Sequence, residues 1–174
     1  MAAVKALEVF RPRRVARALP DLDPGALYRQ GIRGLVVDVD NTLVPYGSAA
    51  PTEEARRWIA DAKAAGLRLV LVTNNRTRRV RALAEGLGLP VAAGLMKPST
   101  SGLRRALAMM ETTPRDTALI GDQLLTDILA GNRLGLFTIL VAPVGRREFP
   151  TTRLINRTIE RLLRRLLRLP AAPG

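Results

Sequence analysis

Two aspartates stand one residue apart at the end of an apolar segment. The segment Leu35-Val36-Val37 runs directly into Asp38-Val39-Asp40, and Asn41-Thr42 follow. In an extended chain, residues i and i+2 point to the same side. The two carboxylates are therefore expected to lie together, and they repel each other unless a positive group lies between them. The pattern indicates a charged site; the alternative is an ordinary strand end with an Asp-Asn turn.

Three further polar groups lie at the ends of similar apolar runs or just before a helix. They are Thr73 with Asn74 and Asn75 after the run 69–72, Lys97 before Pro98, and Gly121-Asp122 after the run 118–120, with Asp127 close behind. Taken singly, the threonine suits a helix N-cap, the lysine an exposed surface and the last aspartate an exposed helix face. Taken together and in this order, they predict a catalytic site. The amides at Asn41, Asn75 and Gln123 are expected to shape the local backbone.

Strands and helices alternate along the predicted chain. Strands are expected near 33–39, 67–73, 90–93, 117–121 and 136–141, and helices near 52–65, 76–87, 99–110, 123–133 and 152–168. Continuous Val, Ile and Leu runs indicate strands buried on both faces, as in parallel sheets. The alternation predicts a doubly wound, Rossmann-like α/β fold with five parallel strands. Gly86-Leu87-Gly88 and Gly131-Asn132 are expected to end helices.

This topology would gather the polar residues. Ligands of such sheets bind outside the carboxyl ends of the strands, where the strand order switches. Asp38, Thr73 and Asp122 all fall at predicted strand ends. The intervals between Asp40, Thr73 and Lys97 are each filled by about one helix and one strand, which leaves no room for an inserted cap domain. An open, capless site is expected, roofed at most by residues 44–48.

Composition limits the available chemistry. The chain of 174 residues contains neither cysteine nor histidine. Acid–base chemistry near neutral pH must therefore use carboxylates, lysine or a metal-bound water, and zinc is a poor expectation. The length fits one domain, 1–174, with a basic N-terminal segment at 1–30 and a basic amphipathic helix at about 152–168.

Positive charge is concentrated at the two ends of the chain. The net charge is +13, of which residues 1–19 carry +4 and residues 151–170 carry +5. Basic ends suit an anionic partner, whether membrane lipid, nucleic acid or a phosphorylated substrate, although a general bias toward Arg, Ala and Leu would give the same charge. Aromatic residues make up only 3% of the chain, too few to stack nucleic-acid bases.

The last predicted helix is amphipathic. Its apolar residues fall in an arc of about 120°: Ile155, Ile159, Leu162, Leu163, Leu166 and Leu169. Arginines occupy the opposite side. The simpler interpretation is a helix that packs on the sheet with a solvated arginine face, and the alternative is a helix that lies on an anionic membrane surface.

The four motifs resemble those of the haloacid dehalogenase (HAD) superfamily of aspartate-based phosphohydrolases. Motif I matches Asp38, Asp40 and Thr42; the other three match Thr73, Lys97, and Gly121-Asp122 with Asp127. The sequences Asp-Asn-Thr-Leu-Val-Pro, Thr73-Asn74-Asn75 and Met96-Lys97-Pro98 are similar to a small YqeG-type branch, which is related to phosphatidylglycerophosphate phosphatases. The second motif I aspartate favours a phosphatase, because the dehalogenases of the superfamily lack it.

The resemblance implies roles for these residues. Asp38 would be the nucleophile, Asp40 the general acid and base, and Thr73, Asn74 and Lys97 would bind the phosphoryl group. Mg²⁺, which prefers oxygen ligands, would be held by the Asp38 and Asp122 carboxylates and by the backbone carbonyl of Asp40, while Asp127 would bind the ion or its waters.

The resemblance also implies a substrate and a place of action. The expected activity is Mg²⁺-dependent hydrolysis of a phosphomonoester, with phosphatidylglycerophosphate as the specific expectation. The expected location is the cytoplasm, with peripheral association with the inner face of an anionic membrane. Two alternatives remain: a phosphatase for a soluble phosphate, and a basic nucleic-acid-associated or assembly protein on the same scaffold, which the low aromatic content disfavours.

Overall fold

A computed structural model of the chain describes residues 7–48, 50–74, 77–93, 98–144 and 153–170. Its strands form one parallel sheet in the order β1-β6-β5-β2-β3-β4. The strands are β1 (Arg14–Val15), β2 (Gly34–Asp38), β3 (Arg68–Thr73), β4 (Val91–Ala93), β5 (Thr117–Gly121) and β6 (Phe137–Leu140). The order switches between β2 and β5, which lie side by side at the centre of the sheet.

Helices lie between these strands and after the last of them. They are α1 (Pro24–Arg29), α2 (Glu53–Ala64), α3 (Arg78–Leu87), α4 (Ser101–Met110), α5 (Leu129–Leu134) and α6 (Arg153–Leu166), with a π-helical turn at Leu124–Ile128. Thr52 and Thr77 begin α2 and α3, because their hydroxyls accept hydrogen bonds from the free N–H groups of the first turn. The described residues between Asp40 and Thr73 build only a loop, α2 and β3.

Both faces of the sheet are buried. Leu35 and Val37 of β2 point to one face, which packs against Trp58 of α2, whereas Val36 points to the other, which packs against Leu103 of α4. This alternation explains why the strand sequences are apolar throughout. The prediction of a doubly wound parallel α/β fold is confirmed.

The sheet has six described strands where five were predicted. The additional strand is β1, a two-residue edge strand that pairs with β6. It was missed because Arg14-Val15 carries no apolar run. It forms because the N–H of Arg13 donates to the Thr138 carbonyl and that of Ala16 donates to the Leu140 carbonyl, each at 2.9 Å.

One of the two predicted helix ends is also wrong. Gly88 does end α3 in a left-handed conformation, but Gly131 lies inside α5, and Gly135 ends that helix instead, at φ +80°. Gly131 lets α5 approach the sheet closely, since a Cβ there would lie 2.8 Å from a methyl carbon of Leu119. The glycine serves packing rather than termination.

The C-terminal helix α6 packs against the π-helical turn. Leu163 of α6 is buried with Leu124, Ile128 and Leu140, and Leu167, just beyond α6, is buried as well. The predicted apolar face is therefore divided: Leu163 faces the core, while Ile159, Leu162 and Leu166 are exposed. The side chain of Ile155 lies outside the described residues.

The two basic ends of the chain meet at this helix. The Arg11 guanidinium donates to the Leu167 carbonyl at 3.1 Å, and Leu7 and Phe10 pack against the same apolar cluster as Leu163. Within the described part of the chain, no helix has both the length and the apolar character needed to cross a bilayer.

Candidate active site

Three buried carboxylates converge at the switch in strand order. Asp38 ends β2, Asp122 directly follows β5, and Asp127 lies on the π-helical turn. Each contributes an oxygen, and these oxygens all lie within 4.8 Å of one another. At most 6% of each residue is exposed to solvent. The two strand ends meet here because β2 and β5 are adjacent and parallel.

The chain after β5 is shaped to bring Asp127 into this cluster. The N–H of Gln123 donates to Asp127 Oδ2 at 3.2 Å, and the Gln123 side chain accepts from the hydroxyl of Thr126. Gly121 lies directly beneath Asp127, since a Cβ at this position would lie 2.6 Å from Asp127 Oδ2. Glycine in the Gly-Asp motif thus makes room for the third carboxylate.

The cluster suits a hard divalent cation. Three buried carboxylates this close repel one another, and a cation between them would relieve the repulsion. Carboxylate oxygens are the ligands that Mg²⁺ and similar ions prefer. The Thr42 hydroxyl lies 3.5 Å from Asp122 Oδ1 and helps to orient that carboxylate. Asp38, Asp122 and Asp127 could therefore hold a divalent metal.

Asp40 lies apart from the three-carboxylate cluster and forms an ion pair. Its Oδ1 accepts from Arg79 Nη2 at 2.5 Å, and both side chains are mostly buried. A second nitrogen of the same guanidinium, Nη1, donates to the Ser48 carbonyl at 2.5 Å. Arg79, from the first turn of α3, thus joins the second motif I aspartate to the loop that follows it.

This loop, residues 44–48, lies against Asp40. Asn41 adopts a left-handed conformation, with φ +63°, and its side-chain oxygen accepts from the N–H of Tyr46 at 3.0 Å. Burial, and secondarily the Asp40 carboxylate, raise the pKa of Tyr46 above its ordinary value, whereas Arg79 lowers it. The expected backbone-shaping role of Asn41 agrees with its contact to Tyr46, whereas the Gln123 side chain contacts the Thr126 hydroxyl.

The remaining predicted residues divide into two groups. Thr73 ends β3 and is buried, while Asn74 is exposed just beyond it. Asp38 and Val72 are register partners, so Thr73 lies one residue further toward the site edge. Lys97 and Asn75 lie outside the described residues.

A carboxylate from the far end of the sequence also reaches this region. Glu160 of α6 accepts hydrogen bonds from the N–H groups of Leu124 at 2.6 Å and Leu125 at 3.3 Å. Arg164, one turn further along α6, lies 3.9 Å from it. Burial is the main cause that raises the pKa of Glu160, and Asp127 raises it further, while the two N–H groups and Arg164 lower it.

Sequence reasoning missed Arg79 and Glu160, although each left a signal. Arg78 and Arg79 occupy the first turn of α3, where positive charge opposes the helix dipole, so an acidic partner was to be expected. Glu160 is the single acid among the six arginines of residues 151–170. Neither signal identifies the partner, because both contacts join segments distant in sequence.

Comparison with known proteins defines the class first. Residues 94–147 match the HAD-hydrolase-like family model. Among solved structures, the cobalt-bound deoxy-D-mannose-octulosonate 8-phosphate phosphatase of Haemophilus influenzae aligns with a TM-score of 0.54 at 12% identity, covering 79% of this chain and 90% of that one. At this identity the likeness concerns the fold alone. The class is that of HAD-like hydrolases.

The curated relatives narrow this class. The chain is 38% identical over 152 residues to the probable phosphatase YqeG of Bacillus subtilis, covering 87% of this chain and 88% of the relative. It is also 29% identical to the chloroplastic/mitochondrial phosphatidylglycerophosphate phosphatase 1 of Arabidopsis thaliana, over 98% of this chain but only 52% of that protein. The chain thus spans about half the length of the plant relative. It belongs to the YqeG family of HAD-type phosphatases.

Proposed function

We propose that this phosphatase is a Mg²⁺-dependent phosphomonoesterase that hydrolyses phosphatidylglycerophosphate through an aspartyl-phosphate on Asp38. The observation that carries the proposal is the buried cluster of Asp38, Asp122 and Asp127, with Asp40 two residues beyond Asp38. A carboxylate that attacks phosphorus divides one difficult displacement into two easier ones.

In the first half-reaction, an oxygen of the Asp38 carboxylate attacks the phosphorus. The new Asp–O–P bond forms as the bond between phosphorus and the leaving alcohol oxygen breaks. The proton on Asp40 passes to that oxygen, so that the product leaves as a neutral alcohol. Thr73 and Asn74 donate hydrogen bonds to the phosphoryl oxygens, and Lys97 balances their charge, a role proposed from its motif alone.

In the second half-reaction, water attacks the phosphorus of the aspartyl-phosphate. The Asp40 carboxylate takes a proton from this water, the Asp–O–P bond breaks, and Asp38 is regenerated as inorganic phosphate leaves. Asp40 is thereby protonated again for the next cycle. Its contact with Arg79 would hold the Asp40 side chain in place through both steps.

The cation would be held by the Asp38, Asp122 and Asp127 carboxylates, with the Asp40 backbone carbonyl as a further ligand. Bound Mg²⁺ would neutralise part of the negative charge where the nucleophile meets the phosphate. The side chains themselves supply the nucleophile, the proton transfers and the hydrogen bonds to phosphate.

The substrate assignment rests on the relatives and on the access that a capless site gives. The relative from Arabidopsis thaliana is a phosphatidylglycerophosphate phosphatase. The described residues between Asp40 and Thr73 form no cap domain, and an open site of this kind would let a lipid headgroup reach Asp38 while its acyl chains stay in a bilayer. A phosphatase for a soluble phosphate would use the same residues, so the experiment must separate these two substrates.

Peripheral attachment to the cytoplasmic face of an anionic membrane completes the proposal. Ile159, Leu162 and Leu166 form an exposed apolar ridge on α6. Arg165 is exposed on α6 and Arg168 is exposed just beyond its end, and the basic N-terminal segment meets this end through Arg11. An apolar ridge beside positive charge suits the headgroup region of an anionic bilayer, where each basic residue contributes about 1 kcal/mol of attraction.

The proposal is tested by comparing hydrolysis of the lipid with hydrolysis of soluble phosphomonoesters that resemble its headgroup, such as glycerol 3-phosphate. The full chain should release phosphate from phosphatidylglycerophosphate in anionic vesicles faster than from the soluble esters. Activity should disappear after exhaustive chelation and return with Mg²⁺. A clear preference for a soluble phosphate would reject the lipid substrate and leave the phosphatase intact; salt-sensitive RNA binding without turnover of any phosphate ester would favour the nucleic-acid alternative.

A further inference from the structure

The segment that carries Asp122 and Asp127 is held in place by a residue of the C-terminal helix. Three successive N–H groups at the start of the π-helical turn donate to carboxylates: Gln123 to Asp127, and Leu124 and Leu125 to Glu160. The first N–H groups of a helical turn have no partner within it. In this turn, α6 supplies the acceptor for two of them from 35 or more residues away.

Glu160 reaches this position at an energetic cost. Its side chain is only 17% exposed, and burial disfavours its charged form. A buried carboxylate is tolerated when hydrogen bonds and opposite charge compensate it. The two N–H groups and Arg164 provide that compensation, although the nearby Asp127 opposes it. An ordinary apolar residue would pack here without this cost, so packing alone does not account for a glutamate at this point.

The contact with Glu160 also affects which groups the Asp127 carboxylate faces. One oxygen of Asp127 already accepts from Gln123, and the next two N–H groups along the chain are occupied by Glu160. Without Glu160, those two N–H groups would lose their acceptor and would compete with the present contacts of Asp127 for its carboxylate. Asp127 would then be drawn away from Asp38 and Asp122.

We propose that Glu160 is a positioning residue of the acidic cluster: by accepting from Leu124 and Leu125, it leaves Asp127 directed toward Asp38 and Asp122 for metal binding. The inference rests on the proposed function, since it takes the cluster to be a Mg²⁺ site. It makes α6 part of the metal site although no atom of α6 needs to touch the ion.

A matched pair of substitutions tests this role in the full chain. Glu160→Gln keeps an acceptor oxygen at the same position, whereas Glu160→Met has a similar length but offers no comparable acceptor. Mg²⁺ affinity is measured by calorimetry on the folded protein, and the thermal midpoint is measured without metal. Glu160→Met should weaken Mg²⁺ binding by about 10- to 100-fold, as is typical when a partner that orients a metal ligand is lost. Glu160→Gln should keep most of the wild-type Mg²⁺ affinity.

Two controls separate positioning from general stability. Leu163→Ala removes a packing contact of α6 without removing the hydrogen bonds, so it should lower the thermal midpoint while Mg²⁺ affinity stays close to that of the wild type. Glu85→Gln removes an exposed helical carboxylate and should change neither quantity. Glu160→Asp, which shortens the side chain but keeps its charge, should give an intermediate affinity and serves if the methionine variant does not fold.

The outcomes are distinct. Wild-type Mg²⁺ affinity in Glu160→Met, or equal damage in the Gln and Met variants, would overturn the positioning role. So would parallel losses of affinity and stability in Glu160→Met and Leu163→Ala, because these would indicate packing alone. If Glu160→Met does not fold, wild-type affinity in Glu160→Asp would overturn the role. A wild-type chain that binds no Mg²⁺ would reject the metal site of the proposed function itself, and the wild-type titration alone reveals this.

Discussion

Asp38 and Asp40 differ in their surroundings although one residue separates them. Asp38 lies in the three-carboxylate cluster, whereas Asp40 is paired with Arg79. If the strand continued through Asp40, the alternation of its side chains would point both carboxylates to the same side. The chain leaves β2 at Asp38, which ends that alternation and gives the two aspartates separate partners and separate proposed roles.

This separation leads to a first prediction. Asp38→Asn should abolish phosphoryl transfer, because the amide is not a nucleophile. Asp40→Asn should lower kcat by about 10²- to 10⁴-fold and let the aspartyl-phosphate accumulate, since its hydrolysis loses the base. Intact-protein mass spectrometry after acid quenching distinguishes the two variants. Normal turnover by a pure Asp38→Asn preparation is incompatible with covalent catalysis.

Arg79 supports a second prediction. Arg79→Ala should lower kcat by up to about 10²-fold, because Asp40 and the loop at Ser48 both lose their common partner and a small misplacement of a catalytic group is costly. The neighbouring exposed Arg78 provides the control, and Arg78→Ala should behave as the wild type. Steady-state kinetics on an aryl phosphate measures kcat for both variants. Equal kcat values would contradict the role of Arg79 in positioning Asp40.

Gly121 supports a third prediction. Gly121→Ala should displace Asp127, because the added methyl carbon would overlap its carboxylate; the expected loss of stability is about 1–3 kcal/mol, together with weaker Mg²⁺ binding. Gly86→Ala is the matched control, since a Cβ there meets nothing within 4 Å and alanine favours helix by up to about 1 kcal/mol. Thermal unfolding with and without Mg²⁺ measures both, and unchanged Mg²⁺ affinity in Gly121→Ala would contradict the argument.

At the scale of secondary-structure elements, the sequence predicts the features that follow from local patterns of apolar residues. The strands from β2 to β6 are evident from their apolar runs, and their ends locate Asp38, Thr73 and Asp122. Features that depend on distant partners are not evident from the sequence. The strand β1 forms only by pairing with β6, and the reason for a glycine inside α5 is the nearby Leu119, which leaves no room for a Cβ at residue 131. The contacts of Arg79 and Glu160 belong to this second kind.

The C-terminal helix shows the same limit. Its periodicity predicts one apolar face, yet the folded chain buries Leu163 and leaves Leu162 and Leu166 exposed. A helical wheel cannot identify which part of a wide apolar arc faces the π-helical turn. The two interpretations of this helix, packing on the core and contact with a membrane, are compatible because they use different sides of it.

These two sides lead to a fourth prediction. The double variant Leu162→Gln, Leu166→Gln should weaken binding to anionic vesicles at least about tenfold, if each leucine contributes about 1 kcal/mol of apolar burial. Its thermal midpoint should stay near that of the wild type, because both side chains are exposed. Met109→Gln, at another exposed apolar position, is the control. Co-sedimentation of the double variant at the wild-type level would exclude this ridge as the contact. Deleting the helix would be a poorer test, since Glu160 and Leu163 would be lost too.

At the scale of the whole molecule, the two basic segments of the sequence come into contact. The +4 of residues 1–19 and the +5 of residues 151–170 are far apart in sequence, but Arg11 connects the first segment to the end of the second. The described parts of the two basic segments therefore meet at this contact, while the acidic cluster lies among buried groups. This distribution can attract an anionic surface without neutralising the site.

A fifth prediction follows from this distribution. Binding to vesicles should rise with their fraction of anionic lipid and fall as salt increases, because exposed charges are screened over about 10 Å at 0.1 M salt. Turnover of a soluble aryl phosphate should depend on salt much less. Co-sedimentation and phosphate release, measured across the same salt series, provide the comparison. Equal binding to neutral and anionic vesicles would refute an electrostatic contact.

The position of α6 would also couple the free energies of Mg²⁺ binding and lipid binding. Its inner side holds the turn that carries Asp127, and its outer side is the proposed bilayer contact, so two ligands act on one element. Thermodynamic linkage requires any coupling between them to be reciprocal: if lipid seats α6 more firmly and so tightens Mg²⁺ binding, Mg²⁺ must strengthen attachment to lipid by the same factor. The enzyme would then be most complete where its substrate resides, and least so in free solution.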